Sequence, residues 1–217
     1  MIKLITFDFD GTTADTMPFL EKIAIKLLTQ FYKLPTEEAR LKYRSTTGLP
    51  FEQQVTQLFP QHSMNTRVIE LFEHQKIEEI FSLPLFPDTK EVINHLKRRG
   101  YLIAISSSTF QSTIEEYCKR KGLEVDQILG YRKGFEKGRD HFEFLQKKFN
   151  VSADEMVYIG DSLMDCKRAE SNDILFIGKT GMFKKQQFNE ISSSNLTIDS
   201  LSELKTLLPK LQPNGKK

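Results

Sequence analysis

Asp8 and Asp10 stand two residues apart at the end of an apolar run, residues 2–7, and Gly11 follows them. In an extended strand, side chains two apart point the same way. Both carboxylates then face one side, and at ~4 Å and an effective dielectric of ~20 they repel by about 4 kcal/mol. A metal ion or a shared proton offsets that repulsion, while Gly11 permits a sharp turn away from the strand. Taken alone, Asp-x-Asp-Gly is equally a solvated turn. A second acidic set, Gly160-Asp161-Ser162-Leu163-Met164-Asp165, follows another apolar run, residues 156–159. Asp161 sits at the end of that run, and Asp165 reaches back across one helical turn. Clustered carboxylates without His or Cys suit a hard cation, Mg2+ ahead of Zn2+. A third run, residues 101–105, ends in Ser106-Ser107-Ser108-Thr109, whose hydroxyls and turn amides can donate to phosphate oxygens. Lys137 offers a cation directly ahead of a helical pattern, with Lys133 as a nearby competitor.

The elements that must position these residues alternate. Runs 2–7, 101–105, 156–159 and 174–177 are apolar nearly throughout, as in parallel strands covered on both faces. Runs 127–130 and 196–198 are weaker strand candidates. Helical patterns lie between them. Val92, Ile93 and Leu96 follow Asp88, which with Glu91 reads as a capping box, and Gly100 reads as the stop. Phe142, Leu145 and Phe149 recur at spacings of three and four, and residues 164–171 follow the run that carries Asp161. Strand, helix, strand, helix predicts an α/β fold with right-handed crossovers. Open sheets of this kind bind ligands at the carboxyl ends of their strands, where the acidic groups stand.

Residues 16–85 break the rhythm. Leu20, Ile23, Ala24, Leu27, Leu28 and Phe31 form an amphipathic stripe, and Phe51, Val55, Leu58, Ile69, Phe72 and Ile80 suggest further helices. Pro35, Gly48-Leu49-Pro50 and Pro60 punctuate them. This predicts a helical insert at 16–85 and an α/β core made of 1–15 and 86–217.

The ordered set Asp8-Phe9-Asp10-Gly11-Thr12, Ser106, Lys137 and Gly160-Asp161-Ser162-Leu163-Met164-Asp165 resembles the four motifs of the haloacid dehalogenase superfamily. The resemblance covers nearly the whole chain, and the insert lies where a C1-type helical cap sits in that superfamily, in the branch of phosphoglycolate phosphatase and β-phosphoglucomutase. It implies a Rossmann-like parallel sheet with helices on both faces and an inserted α-helical cap. It implies Asp8 as the nucleophile that becomes an aspartyl phosphate, and Asp10 as general acid and base with its carbonyl on the metal. Ser106 and Lys137 match the phosphate binders, and Asp8, Asp10 and Asp161 the Mg2+ site. Asp165 orients Lys137 or acts through water, and Ser107, Gly11 and Thr12 support the site. An acidic residue at position 10 favours phosphoryl transfer over dehalogenation. Thr13 departs from the pattern, where an apolar residue is usual, and so does Gly138, where many relatives carry proline.

The resemblance leads to a Mg2+-dependent phosphatase acting on a small phosphorylated metabolite. Weighed beside it are a sugar phosphomutase, a phosphonate hydrolase using a cap lysine (Lys22, Lys26, Lys33 or Lys42) and a receiver-like phospho-acceptor. A net charge of +2, from 31 basic and 29 acidic residues, argues against a nucleic-acid partner. No run of 18 apolar residues predicts a membrane span, and the N-terminal residues do not read as a secretory signal. Two cysteines, Cys118 and Cys166, make no disulfide framework, so a reducing cytoplasmic setting is expected, with a monomer or weak homodimer. Residues 179–183 and the loop around Thr46-Thr47-Gly48-Leu49 are candidates for the rim of the site, and the polar tail 212–217 is expected to fray.

Overall fold

A computed structural model describes residues 1–211, so the tail expected to fray lies outside the described residues. Six parallel strands form one sheet in the order β3-β2-β1-β4-β5-β6. They are β1 (Leu4–Phe7), β2 (Leu102–Phe110), β3 (Gln127–Tyr131), β4 (Met156–Gly160), β5 (Leu175–Lys179) and β6 (Thr197–Ile198). The two strands that carry the acidic motifs are therefore neighbours. Phe7 pairs with Ile105 on one side and Ile159 on the other, which aligns the ends of β1, β2 and β4.

Alternate residues of each strand feed opposite faces, and both faces are covered. On one, Ile5, Phe7, Ile103, Ile105, Val157 and Ile159 pack under α5 (Thr89–Arg98) and α6 (Gln111–Lys121). On the other, Leu4, Ala104, Met156 and Tyr158 pack under α7 (Arg139–Phe149) and α8 (Leu163–Glu170). This is why the strands are apolar throughout rather than alternating. Each fully buried aliphatic side chain contributes roughly 1.5–3 kcal/mol.

Between β1 and α5 lie four helices, α1 (Met17–Tyr32), α2 (Thr36–Ser45), α3 (Phe51–Leu58) and α4 (Asn65–Ile80). They pack around a cluster of their own, with Leu20, Ala24, Leu27, Leu28, Tyr43, Val55, Val68 and Phe72 buried. Pro35 and Pro50 sit at the caps of α2 and α3 with extended backbone, where a missing N–H costs nothing.

Two local expectations change. Strand β2 does not stop at residue 105 but continues through the serines to Phe110, which pairs with Tyr131 after a register shift. The pairing to β3 keeps this polar segment extended where its composition reads as a turn. Asp88 stands at the N-cap of α5 but forms no capping bond. Its Oδ2 instead accepts from the Ser200 hydroxyl at 2.8 Å and the Ser202 amide at 2.9 Å, and Glu91 pairs with Lys205. The C-terminal segment thus captures both members of the expected capping box. Among the described residues, no helix is long and apolar enough to cross a membrane. Both cysteines are buried and unpaired, and burial pushes the Cys166 thiol up to about 11.

Candidate active site

The carboxyl ends of β1, β2 and β4 meet the insert at a small cavity of about 80 Å3. Asp8 follows β1 directly. Its Oδ1 accepts from the Phe9 amide at 2.6 Å and from Lys137 Nζ at 2.8 Å. Lys137 precedes α7, is 6% exposed and also reaches Asp165 Oδ1 at 2.6 Å. Lys133 is exposed, whereas Lys137 is buried against Asp8 and Asp165.

Asp165 is completely buried in the first turn of α8. Its Oδ1 also accepts from the Tyr158 hydroxyl at 3.2 Å, and its Oδ2 accepts from the Ser162 hydroxyl at 2.6 Å and amide at 3.2 Å. Ser162 returns the bond by accepting from the Asp165 amide, a capping box that fixes both side chains. Asp161, at the end of β4, accepts by contrast from the Thr12 hydroxyl, at a long 3.3 Å, and lies against Asp8. Gly11 has φ +79°, and a Cβ there would stand 2.2 Å from Asp161 Oδ2. Glycine at this turn is what lets the Asp8 loop lie against Asp161. Thr13 is buried with its hydroxyl satisfied by the carbonyls of Asp8 and Phe9, so its polarity carries no penalty.

Asp8, Asp161 and Asp165 each offer an oxygen within 4.8 Å of the others. Burial raises Asp8 well above the usual carboxylate range against the pull of Lys137, and Asp165 and Asp161 add to the rise. Burial, with Asp165 next, pushes Asp161 up to about 7. Burial opposes ionisation of Asp165 as well, but Lys137 and Arg168 outweigh it and hold that group low. The chemistry of this donor set fits a divalent cation. Asp165 is saturated by its donors, whereas Asp8 and Asp161 are neighbouring carboxylates, and Lys137 pairs with Asp8 and Asp165 rather than with Asp161.

Asp10 takes a different direction. Its Oδ1 accepts from the Thr16 hydroxyl at 2.6 Å and its Oδ2 from the Thr109 hydroxyl at 2.7 Å. Its carboxylate is thus held off the acidic cluster and borders the cavity from the side of the insert.

The hydroxyls at the end of β2 take different directions. Ser106 does not line the cavity. It is fully buried, and its hydroxyl is hydrogen-bonded at 2.9 Å to His141 Nδ1 beneath α7. Burial, then Lys137, drives the His141 imidazole down to about 3, so it is a neutral partner. Ser107 and Ser108 line the cavity instead. The strand is irregular between Ser106 and Phe110, so Ser107, Ser108, Thr109 and Phe110 all border the cavity while Ser106 stays beneath α7.

The insert contributes more than its composition suggested. Thr47, Gly48 and Leu49 line the cavity, and the Gly48 carbonyl accepts from the Ser108 hydroxyl and from Arg168 Nη1, both at 2.7 Å. Residues 179–182 border a second cavity, of about 430 Å3, on the other side of Asp161. Of the four lysines weighed in the insert, Lys33 donates to the Gln30 carbonyl, Lys42 pairs with Glu38, and Lys22 and Lys26 line an outer groove. The lysine that does line the cavity is Lys76, 6% exposed, donating to Thr109 Oγ1 at 2.6 Å. Its signal was in the sequence. Val68, Phe72, Lys76 and Ile80 share the buried stripe of α4, where a lysine is out of place without a polar partner.

The family model for haloacid dehalogenase-like hydrolases matches residues 5–179. A phosphoglycolate phosphatase from Vibrio parahaemolyticus is 27% identical over 216 residues, covering 94% of each chain. A phosphoserine phosphatase from Wolinella succinogenes is 28% identical over 182 residues, covering 76% of this chain and 81% of that one. A haloacid dehalogenase-like hydrolase structure from Bacteroides fragilis superposes with a TM-score of 0.79 at 22% identity, over 94% of this chain and all of the other.

Proposed function

The chain belongs to the haloacid dehalogenase-like hydrolase family, and from that premise we propose that it is a Mg2+-dependent phosphatase hydrolysing a small phosphomonoester through an aspartyl phosphate on Asp8. The observation that carries this reading is the placement of Asp8. Its carboxylate is fixed against Lys137 and borders the cavity, Asp161 stands beside it, and Asp10 lines the same cavity from a separate network. The relatives named as phosphatases of phosphoglycolate and phosphoserine support a small phosphomonoester, and so does the size of the cavity, far below the ~300–1,000 Å3 that takes a drug-sized ligand.

In the first half-reaction an Asp8 carboxylate oxygen bonds to phosphorus and the bond from phosphorus to the leaving oxygen breaks. Asp10 gives that oxygen its proton, so an alcohol departs rather than an alkoxide. In the second half, water attacks the aspartyl phosphate, Asp10 takes a proton from it, and phosphate leaves as the Asp8 carboxylate is restored. Lys137 and the Ser107 hydroxyl stabilise the phosphoryl oxygens. Asp165 holds Lys137 in place and keeps it charged: burial alone would lower that ammonium, but Asp165 and Asp8 raise it. Asp8, Asp161 and the Asp10 carbonyl would hold Mg2+, which when bound relieves the repulsion between a carboxylate and a phosphate. Helices α1–α4, within residues 16–85, act as a cap on the core of 1–15 and 86–217 and exclude bulk water from the intermediate.

The test is phosphate release from p-nitrophenyl phosphate and from small phosphomonoesters, with Mg2+ and with a chelator. Activity should require the cation. Asp8→Asn should lower turnover at least about a thousandfold, about 4 kcal/mol of barrier, with an unchanged circular dichroism spectrum. Substantial turnover in Asp8→Asn, with deamidation back to Asp excluded by mass, would refute the nucleophile.

A further inference from the structure

The wall of the cavity that faces the leaving group carries two opposite charges in a fixed order. Lys76 Nζ donates to Thr109 Oγ1, which donates at 2.7 Å to Asp10 Oδ2. The ammonium therefore stands one hydroxyl away from the carboxylate that delivers a proton to the leaving oxygen. An ammonium has three N–H donors, and Thr109 is the one partner of Lys76 among the described residues. Glu73 lies one turn earlier on α4, on the same face of the helix, and lines the same cavity. No donor reaches its carboxylate among the described residues, and it makes no ion pair with Lys76 within 4.0 Å. Its neighbours in the wall include Phe51, Ile69 and Phe72; burial pushes its carboxyl up against the pull of Lys76, and Asp10 and Glu52 add to the rise. An acidic group in an apolar wall without a partner is costly until a donor arrives.

Tyr43, Thr47, Tyr131 and the exposed Glu52 also border the cavity, and the polar group nearest the buried wall, Gln54, is already occupied. The Gln54 amide donates to the Leu49 carbonyl at 2.9 Å, and its Oε1 accepts from the Thr46 hydroxyl at 3.1 Å. No arginine lines the cavity. What remains for a ligand is an ammonium close to the reacting oxygen and a carboxylate one helical turn further out. A leaving group that is only anionic meets Lys76 and then Glu73, a like charge. One that is only cationic meets Lys76 first. A short alcohol that carries both charges satisfies both side chains.

Resting on the phosphatase reading above, we infer that the substrate is the phosphomonoester of a small zwitterionic alcohol, an O-phosphorylated hydroxy amino acid, with its carboxylate on Lys76 and its ammonium on Glu73. The experiment compares kcat/KM for O-phosphoserine, 2-phosphoglycolate, O-phosphoethanolamine and glycerol 1-phosphate, which carry both charges, the carboxylate alone, the ammonium alone and neither. The wild-type protein should favour O-phosphoserine over each of the others by at least about tenfold, the loss expected when a buried partner goes unpaired. Glu73→Gln should collapse the ratio of O-phosphoserine to 2-phosphoglycolate, and Lys76→Met the ratio of O-phosphoserine to O-phosphoethanolamine. A merely structural defect lowers all four rates and leaves these ratios alone, which would overturn the assignment. Release of phosphate from p-nitrophenyl phosphate or glycerol 1-phosphate without preference for O-phosphoserine overturns the zwitterion and spares the phosphatase. No release from any ester, p-nitrophenyl phosphate included, overturns both.

Discussion

At the scale of single residues, the site depends on which of two chemically identical side chains faces it. Ser106 and Ser107 are adjacent and alike, yet one is hydrogen-bonded to His141 in the interior and the other lines the cavity. Their substitutions should separate cleanly. Ser107→Ala removes a donor to the transferred phosphoryl group and should lower kcat/KM by about 10²–10³-fold, the usual cost of one such donor, with little change in melting temperature. Ser106→Ala leaves His141 Nδ1 without its partner, and His141 Nε2 already has none among the described residues. It should cost about 1–3 kcal/mol of stability and leave turnover per folded molecule near wild type. Denaturant melts and steady-state kinetics on the two variants check this, and an activity loss confined to Ser106→Ala would reverse the assignment. The same scale explains why Asp165 differs from Asp161. Saturated by Lys137, Tyr158 and Ser162, Asp165 serves as an anchor, whereas Asp161 keeps its capacity for a cation.

At the scale of elements, the loop between α2 and α3 is tied to two parts of the core at one atom. The Gly48 carbonyl accepts from Ser108, near the end of β2, and from Arg168, on α8. Gly48 has φ +100°, and a Cβ there would stand 2.6 Å from Ser162 Oγ. Ser162 is the N-cap of α8 and the partner of Asp165, so a push on it travels to Asp165 and from there to Lys137. Gly48→Ala should therefore lower kcat/KM by about tenfold or more. The left-handed backbone adds roughly 1–2 kcal/mol of strain. Activity assays beside thermal melts test the coupling, and wild-type kinetics in this variant would show that the loop is independent of the α8 cap.

At the scale of the whole molecule, several buried carboxylates share one end of a sheet, and their balance sets how stability follows pH. Asp161 titrates at about 7 in the folded chain and near ~3.9 when unfolded. Between those values the folded state holds a proton that the unfolded state has lost. This contribution is greatest below the unfolded value and falls away as pH rises through the folded one. Asp8 works in the same direction. Asp165, held low, acts oppositely: its contribution is present above the unfolded value and is lost on acidification. In chelator, the melting temperature should decline from about pH 6.5 to pH 8; below that range His141, held neutral in the fold, offsets the carboxylates as the unfolded imidazole takes a proton. Mg2+ at a hundred times its dissociation constant adds about 2.7 kcal/mol, or about 5–10 °C for a chain of this size. Measured at one fixed Mg2+ concentration, the gain should be larger at pH 8, where the carboxylates are free of protons, than at pH 5. A gain equal at both pH values, or none, would argue against these groups as the cation site.

The order of strands and helices, the acidic strand ends and the place of Lys137 directly ahead of α7 are all legible in the sequence. Each rests on local periodicity or on a short motif whose spacing the backbone preserves. The helical insert is legible for the same reason, from the stripes around Leu20 and Phe51. Lys76 could have been read from its place on the apolar stripe of α4, since burial of a lysine demands a partner. What tertiary structure alone decided is everything that depends on contact across the chain. Pairing with β3 extended β2 and turned Ser107 rather than Ser106 to the cavity. Ser200 and Ser202 drew Asp88 from its helix cap, and Thr109 joined Lys76 to Asp10. Such partners are separated by tens to more than a hundred residues, and neither propensity nor spacing encodes which side chains a fold will bring within hydrogen-bond distance.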